Sequence, residues 1–279
     1  MKIEEIKTYK DYAIGESFFN RSRGLLRKAV LYAKAFNSDI NKTNDWVRFP
    51  YYHHVFDDEK KGFERQLKYL KNYGEFISID KACELINGRE PIDGRFFCVS
   101  FDDGFYNCYS NMMEITSHLD IPVIIYLPTN SIGLDINNEA DIEELKKNNL
   151  KNPKIISFLN WDNCKEMLSQ KISFGSHTCN HANLSKLNYQ EIEKELRESK
   201  LMIESKLNIN CDHFACPWGR TGIDFNPEIT TEIAKKTGYT SFATTNRGKM
   251  QKGDNLYLIK RDHIIANWEN FQLKYFFSR

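Results

Sequence analysis

The chain reads as short apolar runs separated by longer stretches in which apolar residues recur every three or four positions. From Pro50 onward the two patterns alternate. YYHHVF (51–56) has strand character, and KKGFERQLKYLKNYG (60–74) predicts a helix stopped by Gly74. EFISI (75–79) predicts a strand and DKACELING (80–88) a capped helix ending at Gly88. RFFCVSFDDGF (95–105) opens as an unbroken apolar run, the mark of a strand buried on both faces. PVIIYLPT (122–129) and KISFGSHT (171–178) are two more runs of that kind. Tyr189 to Leu207 predicts a charged amphipathic helix, HFACPWG (213–219) a short strand and PEITTEIAKKTG (227–238) a helix. YTSFATT (239–245) and LYLIKRDHI (256–264) predict strands, and NWENFQLKYFF (267–277) a closing helix. Strands alternating with helices place the chain in the α/β class with a parallel sheet, open or closed as a barrel. In both cases polar residues at the carboxyl ends of the strands converge on one rim.

The first 45 residues depart from this pattern and predict a helical extension ahead of a domain spanning 46–279. From Phe18 to Ser38 there is no acid, while Arg21, Arg23, Arg27, Lys28 and Lys34 alternate with Leu25, Leu26, Val30, Leu31 and Phe36. Such a basic amphipathic helix either makes a peripheral contact with a membrane through residues 18–38 or packs on the main domain with its basic face in water. Composition narrows the rest. A chain of 279 residues that is 41% hydrophobic has ample core for one large domain. Thirty-nine basic against thirty-eight acidic residues leave +1, which speaks against a general nucleic-acid binder. No apolar run approaches the roughly 18 residues of a membrane span, so no transmembrane segment is expected. The start, MKIEEIKTYKDYAIGESFF, is charged throughout and lacks the apolar stretch of a signal peptide. Seven cysteines without framework spacing predict reduced thiols in a cytoplasmic protein.

The rim rule singles out a small set of residues. Apolar runs end at Asp102 and Asp103, at His177 and His181, and at Trp218 and Gly219, while the early strand supplies His53 and His54. Two histidines four apart are neighbours on a turn of helix, where both imidazoles reach one ion. Two adjacent acids at the end of a buried strand repel unless a cation sits between them, and Gly104 lets the chain turn there so that both address one pocket. Two imidazoles and one carboxylate leave coordination positions free for water, a catalytic rather than a structural arrangement. The remaining aspartate is then a base by position, and the set predicts an amide or ester hydrolase. A zinc knot through Cys179, Cys211, His213 and Cys216 is a weaker alternative, because C-x-H-x-x-C matches no common finger. His118 reads as a helix-end residue with no role.

SFDDG, GSHTCNH and FACPWG resemble the first three motifs of the polysaccharide deacetylases, carbohydrate esterase family 4, and the resemblance extends from about His53 to His263. It implies an irregular (β/α) barrel and hydrolysis of N-acetyl groups on sugars with a bound divalent metal. Zinc is the default, and cobalt, nickel, iron or manganese suit the same ligands. Carried over by position, it makes Asp102 the base and Asp103, His177 and His181 the metal ligands. Trp218, flanked by Pro217 and Gly219, supplies an oxyanion donor. Where the third motif often begins with an arginine this chain has Ala215, and Arg261 is expected to stand in and orient the base. YYHHV resembles the early YH segment of a subgroup related to the poly-N-acetylglucosamine deacetylases, which makes His53 the general acid ahead of His263 and His54. The expected activity is removal of an N-acetyl group from an amino sugar or glycan precursor. A deformylase, a sugar O-acetyl esterase and a non-catalytic glycan-binding protein of the same fold are the alternatives. Lack of an export signal points to a nucleotide- or lipid-linked precursor as substrate.

Overall fold

The computed structural model describes residues 4–13, 18–148 and 155–279, without the side chains of 18–23, 25 and 146–148. Ten strands are present among the described residues: β1 Trp46–Arg48, β2 Pro50–Tyr52, β3 Glu75–Phe76, β4 Arg95–Phe97, β5 Val99–Phe101, β6 Val123–Leu127, β7 Ile172–Ser176, β8 His213–Ala215, β9 Ser241–Ala243 and β10 Asp262–His263. The α-helices are α1 Tyr9–Tyr12, α2 Phe18–Phe36, α3 Lys60–Lys71, α4 Ile79–Asn87, α5 Met113–His118, α6 Glu139–Asn148, α7 Trp161–Met167, α8 Tyr189–Leu207, α9 Pro227–Thr237 and α10 Asn270–Phe277. The main sheet has seven parallel strands in the order β10-β2-β5-β6-β7-β8-β9, and β1, β4 and β3 form a second small parallel sheet.

The expected continuous run 95–101 divides at Cys98. Its first half pairs with β1 and β3 and its second half with β2 and β6. LYLIKRDHI is not the single strand that its apolar residues predict. It opens with a 3-10 turn, Leu256–Leu258, capped by the Asn255 side chain, and only Asp262–His263 joins the sheet. The reason is topological. Ile259 N donates to Phe242 O at 3.0 Å and Thr244 N donates to Ile259 O at 2.9 Å, whereas Asp262 and His263 pair with Pro50 and Tyr51. One short segment therefore bridges both edges of the sheet and curls it into an irregular (β/α) barrel.

Side-chain alternation sorts the core into two layers. On β6, Val123, Ile125 and Leu127 pack with Phe101, Phe174 and Phe214 in one cluster that also takes in helix residues such as Leu67 and Leu196. Ile124 and Tyr126 pack in the other with Ala215, Ala243 and Ile79, Ala82 and Ile86 of α4. All five β6 residues are buried. Each such side chain contributes about 1.5–3 kcal/mol, which is why the central strand can carry no polar position on either face. Several helices begin and end at their own signals, though α3 stops at Lys71, ahead of the expected Gly74. Asn188 caps α8 in a capping box with Glu191, and Gly238, at φ 88°, closes α9.

The N-terminal helix α2 is fixed from its C-terminal half, where Leu31 and Ala35 pack with Tyr275, Phe271 and Phe276 around α10. Leu26, Val30, Tyr32 and Phe36 stay exposed beside Arg27, Lys28 and Lys34. The side chains of Arg21, Arg23 and Leu25 from the basic run lie outside the described residues. Among the described residues no helix is long and apolar enough to cross a membrane. All seven cysteines are free thiols.

Candidate metal centre

His53, Asp102, Asp103, His177 and Trp218 follow strands at their carboxyl ends, as the rim rule requires, whereas Arg261 stands just ahead of β10. Asp102 and Asp103 follow β5. Asp103 adopts φ 71° and Gly104 φ 64°, and a Cβ on Gly104 would meet Leu127 Cδ2 at 2.8 Å and Ile132 Cδ1 at 2.9 Å. Only glycine fits that sharp turn beneath the acids. His177 follows β7 directly, but the segment to His181 is a loop rather than the helical turn suggested by the four-residue spacing. Thr178 and His181 have φ of 66° and 50°, which a helix forbids. Eight described non-glycine residues have positive φ, and four of them, Asp103, Thr178, His181 and Trp218, surround this one point. Strain of this kind persists only where neighbours enforce it. Glu195 of α8 supplies much of that enforcement: its Oε2 accepts from Cys179 N at 2.9 Å and Asn180 N at 3.0 Å, and its Oε1 from Asn180 Nδ2. The loop carbonyls of Thr178 and Cys179 accept in turn from Thr129 N and Asn130 N.

Asp103, His177 and His181 offer ligand atoms that all lie within 4.8 Å of one another. Nε2 of His177 is 3.4 Å and Nε2 of His181 3.2 Å from Asp103 Oδ1. His177 Nδ1 lies 2.7 Å from Ala215 O. A carbonyl only accepts, so that nitrogen carries the proton, and the Nε2 of a neutral ring turns its lone pair toward the carboxylate. Asp103 Oδ1 is buried and makes no hydrogen bond among the described residues. Lone pairs converging on one buried point fit a divalent cation, with Ala215 O as the outer partner that fixes the tautomer. Burial pushes the Asp103 carboxyl up, but His181 and His177 outweigh it and hold the group well below the usual carboxylate range. Burial pulls His181 down, and Asp103 overrides that to raise it.

Asp102, fully buried, turns the other way. Arg261 Nη1 donates to Asp102 Oδ1 at 2.7 Å and Nη2 to Oδ2 at 2.8 Å, while Nε donates to Thr244 O. The guanidinium lies over the Tyr51 ring at 4.3 Å. Arg261 thus holds both carboxylate oxygens of Asp102, which the Ala215 side chain has no donor to do. Burial would raise the Asp102 pKa, and Arg261 followed by His177 keeps it below the ordinary value. His53 Nε2 lies 3.9 Å from Asp103 Oδ2. His263 sits edge-on to His53 at 5.1 Å, and burial and then His53 push it down to about 4. His54 is stacked between Phe56 and Phe105, bonded to Asn107, and pushed down to about 3 by burial and His53. Neither ring holds a proton near neutrality.

Trp218 is 58% exposed, with its ring 5.5 Å from His181. Pro217 and Gly219 build its turn: Gly219 N donates to Pro217 O at 2.7 Å, and Gly219 has φ 66°. The alternative zinc knot does not assemble, since His213 bonds to Ser241 and Asp80 and no second cluster of ligand type occurs among the described residues. The whole constellation opens on a cleft of about 870 Å³ whose lining includes Asp102, His53, Trp218 and Tyr12. Two contributors are absent from the sequence reading. Glu195 is one acid among many on a charged helix, and Tyr12 belongs to a four-residue helix with no chemical signature.

Comparison with known proteins agrees with this geometry. The family profile described as "Polysaccharide deacetylase" matches residues 90–242. The Bacillus subtilis protein YxkH, whose name carries only a provisional assignment as a polysaccharide deacetylase, is 26% identical over 207 residues, 74% of this chain. The match spans 64% of that relative's length. Among solved structures, IcaB from Ammonifex degensii superposes with a TM-score of 0.68 at 20% identity, covering 84% of this chain and 98% of its own. The Streptococcus pyogenes deacetylase PplD, solved with acetate, gives 0.65 at 22% identity, again covering 84% and 98%. At these identities the two structures establish the shared fold.

Proposed function

The chain belongs to the polysaccharide deacetylase family, and from that premise we propose that it is a metal-dependent hydrolase removing an N-acetyl group from an amino sugar or glycan precursor. The observation that carries this reading is the buried, unpartnered Asp103 Oδ1 facing two imidazole nitrogens, next to an Asp102 clamped by Arg261. A divalent cation held by Asp103, His177 and His181, with zinc as the default, supplies Lewis-acid polarisation of the acetyl carbonyl and of water. In the proposed reaction Asp102 accepts the proton of the attacking water as its oxygen bonds to the carbonyl carbon. The Trp218 N–H donates to the developing oxyanion, a contribution of roughly 3 kcal/mol. His53, the imidazole nearest the triad that is not itself a ligand, gives a proton to the nitrogen as the C–N bond breaks, releasing acetate and a free amine. Arg261 holds the base in register throughout.

Product analysis tests the proposal directly. N-acetyl, N-formyl and O-acetyl sugars are incubated side by side with zinc-loaded protein, and acetate, formate and new amine are quantified. The expected result is acetate with equimolar amine from the N-acetyl substrate, lost at least a hundredfold in Asp102→Asn, whose amide oxygen can still accept one of the two Arg261 hydrogen bonds. Acetate from esters alone would make it an esterase, and glycan binding without hydrolysis would make it a binding protein.

A further inference from the structure

The helical extension turns an apolar face to solvent. Leu31 and Ala35 of α2 are buried with Tyr275 against Phe271 and Phe276 of α10. At about 3.6 residues per turn these two share one face of the helix, and Leu26, Ala29, Ala33 and Phe36 fall on the opposite one, with Val30 at its border. All five are exposed. Leu26 at 68% and Phe36 at 83% are the two most exposed large apolar side chains among the described residues. Tyr32 marks the junction with the domain, edge-on to Phe271 at 5.2 Å.

Charge lies between the two faces. Arg27 and Lys34 flank the apolar face on one side and Lys28 on the other, and all three are exposed. The stretch from Phe18 to Ser38 carries five bases and no acid, in a chain whose net charge is only +1. That concentration of one sign decides what the face can meet. A second copy would set two basic helices side by side, with no acid on either to pair across the seam, and like charges so placed destabilise pairing. An anionic bilayer suits both components. Apolar side chains enter the acyl boundary, while the flanking Lys and Arg stems reach the phosphates. The helix also begins close to the site. Tyr9 N and Lys10 N tie α1 to the Asp58 carboxylate, and Tyr12 lines the cleft. The six residues of chain from there to Phe18 span at most about 22 Å.

We propose that α2 is a membrane-surface helix, docking the protein on an anionic phospholipid bilayer through Leu26, Ala29, Ala33 and Phe36, with Arg27, Lys28 and Lys34 on the headgroups. The contact does not depend on the reaction chemistry, and it stands whichever acyl group the metal centre removes.

The test is co-sedimentation of the full-length protein with vesicles of phosphatidylcholine alone and with vesicles containing one third phosphatidylglycerol. Wild type should bind the anionic vesicles at least tenfold more tightly than the neutral ones and lose that margin at high salt. Leu26→Asp combined with Phe36→Asp should cut binding at least tenfold. Replacing Arg27, Lys28 and Lys34 by Gln should erase the preference for anionic lipid, about fivefold for each base removed. Every substituted side chain is exposed, so thermal melts should match wild type. The salt dependence of wild type stands as evidence apart from any variant. A wild type that ignores vesicles, that binds neutral and anionic ones alike, or that binds as tightly after the Leu26 and Phe36 substitutions would overturn the proposal. So would a dimer in lipid-free sedimentation that the same substitutions dissolve, since it would give the face to a second copy.

Discussion

Asp102 and Asp103 are neighbours with opposite surroundings, and the division of labour we propose for them follows from that. Asp102 meets a buried guanidinium, whereas Asp103 meets two imidazole nitrogens. The DDG sequence shows that two carboxylates need separate means of neutralisation. It does not show where Arg261 comes from, because the pair is 159 residues apart in sequence and meets only when the sheet curls. The same cleft holds a third buried acid. Glu59 lines it with Oε1 unpartnered among the described residues, and burial, against the Phe56 N–H that bonds the carboxylate, pushes its pKa up to about 7. A carboxyl raised on folding stabilises the protein fully below its unfolded pKa, and that stability is lost as pH climbs through the folded value. Wild type should therefore lose stability between about pH 4.5 and 7, by up to roughly 3 kcal/mol. Glu59→Gln should remove that slope in denaturant titrations at pH 5 and pH 8.5; an unchanged slope would assign it to other groups.

At the scale of elements, the apolar runs and caps were legible because local chemistry decides them. Tyr189–Leu207 is helical over the range its pattern predicts, and the β6 and β7 runs are strands. What failed were segments whose shape is set by partners. The loop between His177 and His181 is held in left-handed turns by Glu195, and 256–264 is bent by having to pair with both sheet edges. Glu195 is the element-scale device here, one helix side chain fixing the loop that carries two of the proposed ligands. Glu195→Ala should weaken zinc affinity about 10–100-fold while α8 stays folded, measured by competition with a chromophoric chelator. Unaltered affinity would show that the Thr129 and Asn130 hydrogen bonds suffice alone.

The barrel as a whole explains why five strand ends from across the chain deliver one site. Curling brings the rims of β2, β5, β7, β8 and β10 together, and the N-terminal segment completes the wall with α1. The alternation of strands and helices foretold the rim and the residues on it, but not the closure through Ile259 or the placing of Tyr12, since neither leaves a periodic trace. The account as a whole depends on one ion site. Isothermal titration of metal-stripped protein with zinc, compared with Asp103→Ala, His177→Ala and His181→Ala, tests it most directly. One equivalent of tight binding in wild type, lost in each of the three variants and retained in Asp102→Asn, is the predicted result. Zinc binding of the same stoichiometry and affinity in the triad variants, or none in wild type, would contradict it.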